Sequence, residues 1–180
     1  MKTLETERLI LRMYTLDDAE GLYEYAKNPN VGPHAGWKPH ESVEESREII
    51  RDIFLPPESW AILLKENGRL IGSIGLEEDT LREGANSREM GYSLAEDCWG
   101  RGFMTEAASE VLRFAFEEMG LDQVGICTSP VNKRSQGVIR NLGFVYEGTI
   151  RRHLKIYTGE SRDSLVFSML KSEWEEKKNA

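Results

Sequence analysis

The fold is decided by the stretch Gly91-Tyr92-Ser93-Leu94-Ala95-Glu96-Asp97-Cys98-Trp99-Gly100-Arg101-Gly102-Phe103-Met104-Thr105-Glu106-Ala107. Its pattern predicts a strand, a glycine-bearing loop and the start of a helix in immediate succession. Such a turn presents unbonded backbone N–H groups and the positive end of a helix to an anion. Gly100 and Gly102 lack the side chains that would block a pyrophosphate, and Arg101 adds a positive charge beside it. A tight turn that uses its two glycines for geometry alone is the alternative.

Two common nucleotide-binding signatures do not fit this loop. A Walker loop for ATP requires Gly-Lys-Ser or Gly-Lys-Thr after the glycines, and the chain has neither there. A dinucleotide fingerprint requires a third glycine, which is replaced near Thr105. The pattern therefore disfavours both ATP and NAD as the ligand.

Outward from this stretch, the chain predicts an alternation of strands and helices. The predicted strands are 9–13, 60–64, 70–76, 89–94, 123–128, one from 144 onward and 162–169, and the predicted helices are 17–27, one from 42 onward, 105–119 and 135–142. The strand-helix order after residue 89 implies parallel neighbours joined by crossovers, and the pair 60–64 and 70–76 is antiparallel. These elements predict a mixed α/β sheet.

Turn and cap residues fix several of these boundaries. The capping-box pattern Ser42-Val43-Glu44-Glu45 opens the second helix, and Pro56-Pro57 ends it. Asn67-Gly68 between two strands supplies the positive φ angles of a tight hairpin turn. Gly120 is the natural C-cap of the helix that follows the glycine loop.

Length and composition limit the classes of protein to which this chain can belong. A length of 180 residues suits a single domain spanning 1–180, and the apolar runs are too short to cross a bilayer. A formal charge of -8 disfavours a nucleic-acid-binding protein. Two cysteines form no disulfide framework, and the N-terminus lacks the apolar core of an export signal. We therefore expect a cytoplasmic protein that binds neither membrane nor nucleic acid.

The loop Asp97-Cys98-Trp99-Gly100-Arg101-Gly102 resembles the coenzyme A pyrophosphate loop of the GNAT superfamily of N-acetyltransferases, Gln/Arg-x-x-Gly-x-Gly/Ala. It matches both glycines and departs at the first position. The chain is closer still to the Rim-type ribosomal-protein N-terminal acetyltransferases, whose motifs recur here in order as Glu89-Met90-Gly91-Tyr92, Trp99-Gly100-Arg101-Gly102, Thr105-Glu106-Ala107, Asn132-Lys133-Arg134-Ser135 and Leu142-Gly143-Phe144. The opening Glu7-Arg8-Leu9-Ile10-Leu11-Arg12 is also similar, so the resemblance covers most of the chain.

The resemblance implies a central, mostly antiparallel sheet of about seven strands with a parallel, splayed pair and about four flanking helices. It also implies acetyl-CoA as cosubstrate, no metal, and direct transfer of the acetyl group to a primary amine in a ternary complex. The first acceptor class is the N-terminal α-amine of a protein such as a ribosomal protein. Polyamine, amino-acid or antibiotic acetylation and a non-catalytic acyl-CoA sensor are the alternatives. Similar proteins often form homodimers, so a homodimer is one expected assembly.

By the same resemblance, one set of residues binds the cosubstrate: Tyr92, Leu94, Trp99, Gly100, Arg101, Gly102, Met104, Thr105, Asn132 and Ser135. Backbone N–H groups near Tyr92 and Leu94 polarise the thioester carbonyl. Asn132 binds a pantetheine amide, and Ser135 protonates the leaving thiolate. The alternative is that Asn132 only caps the helix and Ser135 only occupies its first turn.

Glu89 is the candidate general base, acting through water, and a surface or salt-bridged glutamate is the alternative. Many GNAT members place a tyrosine acid where this chain has Ile139, which leaves Ser135 as the catalytic acid. Rim-type proteins can carry a second carboxylate in the stretch that here reads Arg151-Arg152-His153-Leu154. His153 could replace it as a base, although such a histidine is more often packing or surface. Acceptor choice is expected to lie with residues 28–57 and 150–163.

Overall fold

The computed structural model describes residues 2–55 and 59–179 and is built around one eight-stranded sheet. The strands are β1 (Leu4–Glu5), β2 (Leu9–Met13), β3 (Ser59–Leu64), β4 (Leu70–Glu78), β5 (Ser87–Leu94), β6 (Gln123–Thr128), β7 (Val145–Lys155) and β8 (Ser161–Leu170). The α-helices of the described residues are α1 (Ala19–Ala26), α2 (Gly32–Ala35), α3 (Val43–Ile49), α4 (Phe103–Arg113), α5 (Lys133–Leu142) and α6 (Lys171–Lys178). The strands lie in the order β1-β2-β3-β4-β5-β6-β8-β7.

The expected mixed and mostly antiparallel sheet is confirmed. Every neighbouring pair is antiparallel except β5 and β6, which run parallel. The additional strand is the two-residue β1, and the additional helices are the four-residue α2 and the C-terminal α6. Strands β3 and β4 are buried along most of their length, so both of their faces are covered, as is usual for a run of apolar residues without alternation.

The loop between β3 and β4 differs from the prediction of positive φ angles at both Asn67 and Gly68. Only Gly68 has a positive φ, of +71°. Its N–H donates to the Leu64 carbonyl at 2.8 Å, while the Asn67 side chain accepts from the N–H of Arg69. A five-residue loop needs only one left-handed residue to reverse the chain, whereas a two-residue turn needs two.

The parallel pair β5 and β6 separates along its length. Pairing covers Ser87–Glu89 of β5 against Gln123–Gly125 of β6 and stops there. Toward their carboxyl ends β5 continues against β4, and β6 continues against β8. The backbone of β5 beyond Glu89 therefore faces open space on its β6 side, and this gap is the splay that the resemblance implied.

The prediction that the strand after α5 would lie parallel beside β6 is wrong. Strand β8 pairs with β6 along the whole length of β6, from Gln123 opposite Leu170 to Thr128 opposite Leu165. Strand β7 lies beyond β8 at the sheet edge. Because β7 and β8 form an antiparallel hairpin, the returning strand fills the place beside β6 that a simple crossover would have given to β7.

The front helices begin close to their predicted positions. A 3₁₀ turn over Leu16–Asp18 precedes α1 in the segment predicted as one helix. Ser42 caps α3 by accepting the N–H of Glu45 at 3.0 Å, whereas the Glu45 carboxylate takes the N–H of Glu41 instead of that of Ser42. The predicted stop at Pro56-Pro57 lies outside the described residues. No helix in the described ranges has the length and apolar character needed to cross a membrane.

Helices α4 and α5 both begin two residues earlier than predicted. Gly102 precedes α4 in a left-handed conformation, so helical geometry starts at Phe103. The Asn132 side chain accepts the N–H of Ser135 at 3.1 Å, which places the start of α5 at Lys133. Buried residues such as Phe103 and Ile139 line the inner faces of the two helices. The two cap residues therefore set where each helix N-terminus lies.

Glu106 joins the first turn of α4 to the N-terminal segment. Its carboxylate accepts the Thr6 hydroxyl at 2.5 Å, the Arg8 N–H at 2.8 Å and the Arg8 Nε at 2.6 Å. Burial raises the pKa of this carboxyl, but the hydrogen bonds and charge from Thr6 and Arg8 outweigh it, so the pKa of Glu106 is lowered. The motif residue Glu106 thus stabilises the fold around the glycine loop.

We expect Glu106→Gln to lower the free energy of unfolding at pH 7 by about 1–2 kcal/mol, because it removes charge-assisted hydrogen bonds. A carboxyl whose pKa is lowered on folding stabilises the protein above its unfolded pKa of about 4.3, and that stabilisation is lost as the pH falls through the folded pKa. The difference between wild type and variant in urea unfolding should therefore shrink below about pH 4.3. Glu66→Gln, on an exposed side chain in the loop between β3 and β4, is the control and should leave stability nearly unchanged. A difference that stays constant down to acid pH would contradict the role assigned to the Glu106 charge.

Candidate active site

The turn that joins β5 to α4 exposes several backbone donors. Gly100 and Gly102 take positive φ angles of +70° and +80°, and α4 begins directly afterwards. The N–H of Glu106 donates to the Gly102 carbonyl at 3.0 Å, so the N–H groups of residues 103–105 precede the helical hydrogen-bond ladder. These donors and the positive end of α4 suit an anion such as a pyrophosphate.

The two glycines are required by backbone conformation and not by crowding. A Cβ at Gly100 would meet no atom within 4 Å, and one at Gly102 would lie 3.5 Å from a guanidinium nitrogen of Arg8. Positive φ angles nevertheless cost free energy for residues that carry a Cβ. The shape of the loop therefore depends on glycine at both positions, while the open space beside Gly100 leaves its backbone accessible.

Positive charge reaches the loop from α5. The Arg134 guanidinium lies 4.2 Å from the centroid of the Trp99 ring, and Trp99 is fixed in turn by its Nε1, which donates to the Leu94 carbonyl at 2.9 Å. The Arg101 guanidinium instead lies 4.8 Å from the ring centroid of Phe103. Arg101 does not line the cleft described next, so its role beside a pyrophosphate stays a prediction.

A cleft of about 380 Å³ extends from the glycine loop to the first turn of α5, and we call it the loop cleft. Its lining includes nine of the ten residues predicted to bind the cosubstrate, namely Tyr92, Leu94, Trp99, Gly100, Gly102, Met104, Thr105, Asn132 and Ser135. Residues from the loop before α2 and from α2 itself form its opposite wall. The nine predicted residues, which lie up to 43 positions apart in sequence, thus form one continuous surface.

A second cleft, of about 330 Å³, occupies the gap between β5 and β6, and we call it the strand cleft. Glu89 lines it, together with Glu77, its partner across the β4–β5 pair, and Asp163 from β8. Carboxylates therefore line this cleft from three different strands. Arg162 and His153 also line it, so the three carboxylates outnumber the one guanidinium. An excess of carboxylates favours a positively charged ligand.

The two clefts meet at one place. Five residues line both of them: His34, Ala35, Tyr92, Asn132 and Ser135. A ligand that extends along the loop cleft and another that enters the strand cleft would come together there. The arrangement brings the predicted residues Ser135 and Glu89 to one connected space, with Ser135 at the junction and Glu89 on the strand-cleft side.

The junction contains a pair of hydroxyl groups. The Tyr92 hydroxyl lies 3.0 Å from the Ser135 Oγ. Burial raises the pKa of Tyr92 to about 12, although the hydrogen bond with Ser135 lowers it. Asn132 does cap α5, but it also lines both clefts, so capping and ligand contact are compatible. Ile139 is completely buried one turn further along α5 and offers no hydroxyl to this space.

Neither cysteine is set up as a nucleophile. Burial and the neighbouring Glu89 carboxylate raise the pKa of Cys127 to about 12, so its thiol stays protonated at neutral pH. Cys98 lies within the glycine loop and lines the loop cleft, but it is buried, and burial raises its pKa as well. Reactive cysteines need the thiolate form, which both environments disfavour.

An irregularity in β7 turns His153 toward the strand cleft. The register between β7 and β8 shifts between Ile150 and Leu154, and Arg152 takes a φ of +53° within the shift. The Arg152 N–H donates to Asp163 at 2.8 Å, and His153 Nδ1 lies 3.0 Å from the Ser164 Oγ. Bulges of this kind redirect side chains near active sites.

Across the described ranges, no group of three or more His, Cys, Asp or Glu side chains is placed to hold a metal ion.

The two segments expected to choose the acceptor touch each other. Arg162 of β8 donates to the Pro33 carbonyl at 2.8 Å, and the N–H of Tyr157 donates to the Gly36 carbonyl at 3.0 Å. On the other side, Glu96 accepts from the side chains of Asn28 and Asn30. The α2 segment is thus held between the glycine loop and the β7–β8 hairpin, over the junction of the clefts.

Two features of the site were not predicted from the sequence. The contact between Tyr92 and Ser135 joins β5 to α5 across 43 positions, and no local pattern signals it. The stacking of Arg134 on Trp99 also depends on the fold. The usable sequence signal was a basic residue near the predicted start of a helix. Both features lie at the meeting point of separate motifs.

Comparison with known proteins agrees with this geometry. The chain is 32% identical over 180 residues to the uncharacterized N-acetyltransferase p20 of Bacillus licheniformis, which covers 97% of this chain and 99% of that protein. It is 36% identical over 180 residues to YdaF of Bacillus subtilis, provisionally named a ribosomal N-acetyltransferase, with 96% of each chain covered.

The fold is shared with the crystal structure of a GNAT-family acetyltransferase from Bacillus anthracis, with a TM-score of 0.85 at 22% identity. That similarity covers 96% of this chain and 100% of the Bacillus anthracis chain. Residues 8–145 also match the family model described as the acetyltransferase (GNAT) domain. This chain therefore belongs to the GNAT family of acetyltransferases and is an acetyl-CoA-dependent N-acetyltransferase.

Proposed function

We propose that this enzyme transfers the acetyl group of acetyl-CoA directly to the N-terminal α-amine of a protein while both substrates are bound. The observation that carries the proposal is the junction of the two clefts at Tyr92, Asn132 and Ser135. Acetyl-CoA suits the loop cleft, where the glycine loop and the α4 N-terminus offer donors to its pyrophosphate and Arg134 adds charge. The amine suits the strand cleft, which carboxylates line.

The proton transfers can be assigned to residues on either side of the junction. We assign Glu89 as the base that takes a proton from the incoming ammonium, through a water molecule. Ser135 gives a proton to the departing thiolate, and backbone N–H groups near Tyr92 and Leu94 stabilise the negative charge on the carbonyl oxygen. An α-amine with a pKa of about 7.7–8.0 needs only modest help to lose its proton at neutral pH.

Direct transfer is favoured over an acetyl-cysteine intermediate. The high pKa of Cys127 keeps its thiol protonated. Cys98 lines the loop cleft but not the strand cleft, and burial raises its pKa as well. Neither group supplies a thiolate to attack a thioester at neutral pH. A ternary complex needs no covalent step, and two clefts that meet at one place are what such a complex requires.

The acceptor class rests on separate arguments. The name given to YdaF points to ribosomal proteins, and the Rim-type motifs point the same way. The carboxylate-lined strand cleft favours a cationic amine, which a small amine would also provide. We therefore keep polyamines, amino acids and aminoglycosides as alternative acceptors. A sensor without turnover is the third alternative.

Three further expectations stay predictions: one domain over 1–180, a cytoplasmic location and a homodimer.

We expect acetyl-CoA and the correct acceptor to give CoA release together with acetylated product, measured across a panel of N-terminal peptides, polyamines, amino acids and aminoglycosides. Glu89→Gln should lower kcat by about 100-fold or more, and Ser135→Ala by about 10- to 100-fold, because each removes one proton transfer. Acetyl-CoA affinity, measured by calorimetry, should change little in either variant. Glu89→Gln activity should recover partly at high pH, where the amine loses its proton without a base.

Matched controls come from the same elements. Glu78→Gln changes an exposed carboxylate of β4 outside both clefts, and Ser109→Ala removes an exposed hydroxyl of α4. Both should keep wild-type kcat. Tight acetyl-CoA binding with no turnover on any acceptor would contradict the transfer proposed here and would favour a sensor.

We expect Gly102→Ala to raise the KM for acetyl-CoA by about 5- to 30-fold, since a positive φ costs a residue with a Cβ roughly 1–2 kcal/mol and the loop would relax away from its binding shape. Gly84→Ala is the matched control, because Gly84 has a similar φ of +78° and lies outside the loop cleft. Both variants should lose similar stability in thermal unfolding, but only Gly102→Ala should change KM. Equal KM values in the two variants would show that the loop conformation does not govern acetyl-CoA binding.

A further inference from the structure

The contact between Tyr92 and Ser135 is not explained by the roles assigned so far. Tyr92 belongs to β5, and Ser135 is the third residue of α5, so the two elements bring together hydroxyl groups from distant parts of the chain. Their oxygens are 3.0 Å apart, within hydrogen-bond distance. Both residues line both clefts. The pair therefore lies where the thioester and the amine must meet.

A serine hydroxyl alone is a poor acid for this reaction. When its proton passes to a leaving thiolate, the serine oxygen becomes an alkoxide, which is a far stronger base than a thiolate. The transfer becomes easier if a second donor replaces the proton at the same time. The phenol of tyrosine is a stronger acid than an aliphatic alcohol and is the group placed beside Ser135.

We propose that Tyr92 is a positioning residue that orients the Ser135 hydroxyl and replaces its proton as the thiolate leaves. This inference rests on the proposed acetyl transfer and adds the source of the proton. The carbon–nitrogen bond forms as the carbon–sulfur bond breaks, and the proton that the amine nitrogen loses on forming the amide passes to solvent. The Ser135 proton forms the thiol of CoA, and the Tyr92 proton restores the serine hydroxyl. The phenolate that results takes a proton from solvent when the products leave.

The surroundings of the pair fit such a relay. Burial raises the pKa of Tyr92 to about 12, so its proton is present at neutral pH, but the same burial disfavours the phenolate that the relay forms. The relay therefore needs positive charge near the pair. The short-lived negative charge would form near the N-terminus of α5, a ten-residue helix whose positive end stabilises anions. Lys133 and Arg134 in the first turn of α5 add to this positive field. Ile139 is buried and carries no hydroxyl. Tyr92 and Ser135 are therefore the residues of β5 and α5 that bring hydroxyl groups to the junction.

The first test is Tyr92→Phe, which keeps the ring and removes the hydroxyl. We expect kcat to fall by about 10- to 100-fold, with the KM for acetyl-CoA within about threefold of wild type. Tyr25→Phe is the control, because its hydroxyl lies 3.3 Å from the Ser93 Oγ and Tyr25 lines neither cleft. Tyr25→Phe should keep wild-type kcat. If Tyr92→Phe also keeps wild-type kcat in an enzyme that turns over, the relay is excluded and the proposed function stands.

The second test asks first whether Tyr92 acts through Ser135, with a double variant, and then whether it supplies a proton, with a more acidic tyrosine. In Tyr92→Phe/Ser135→Ala the loss in kcat should be no greater than in Ser135→Ala alone, because a relay fails as one unit. Replacing Tyr92 with a fluorinated tyrosine, whose phenol is more acidic, should bring a basic limb into the kcat–pH profile within the measurable range. The relay would be contradicted if the loss in kcat of the double variant equalled the product of the two single losses. It would also be contradicted if fluorination left the kcat–pH profile unchanged. A wild type without acceptor-dependent turnover would instead contradict the proposed function itself, and the inference with it.

Discussion

The parting of β5 from β6 after three paired residues on each strand is the constraint on which the rest of the site depends. Parallel strands normally stay paired, since each unpaired backbone group loses a hydrogen bond. Here β5 stays bonded to β4 on its other side, and β6 to β8, so each strand keeps one partner while the gap opens. Residues of β5 beyond Glu89 line both clefts, and Glu89 itself lines the strand cleft. Because β8 lies beside β6, β6 stays paired along its full length even where β5 has separated from it.

The second constraint is the placement of two helix N-termini around that gap. Gly102 starts α4 at the mouth of the loop cleft, and Asn132 starts α5 at the junction of the clefts. Both caps act through backbone geometry and local hydrogen bonds, so the positive helix ends are fixed without a buried charge. Glu106 then holds α4 to the loop between β1 and β2 through three hydrogen bonds. An anion site built in this way is rigid before its ligand arrives, which reduces the entropy cost of binding.

Local sequence signals predicted the fold well and the site in part. The strand at 123–128 and the cap at Ser42 follow from alternation and cap chemistry, which act over a few residues. The place of β8 between β6 and β7 could not be predicted, because strand order is set by pairing across the whole sheet. The same limit applies to Tyr92 and Ser135, whose separate motif positions were visible but whose contact depends on the crossing of β5 and α5.

The two clefts place different demands on the chain, and this explains why the acceptor is harder to infer than the cosubstrate. The loop cleft relies on φ angles, helix ends and a cap, which leave short and recognisable patterns such as Trp99-Gly100-Arg101-Gly102. The strand cleft relies on side chains from β4, β5, β7 and β8, aimed by a bulge at Arg152 and closed by a segment around Pro33. A change in that bulge or segment would alter the acceptor surface while leaving every backbone donor of the loop cleft in place. Substrate choice can therefore diverge within this fold without any change in the pattern that marks the family.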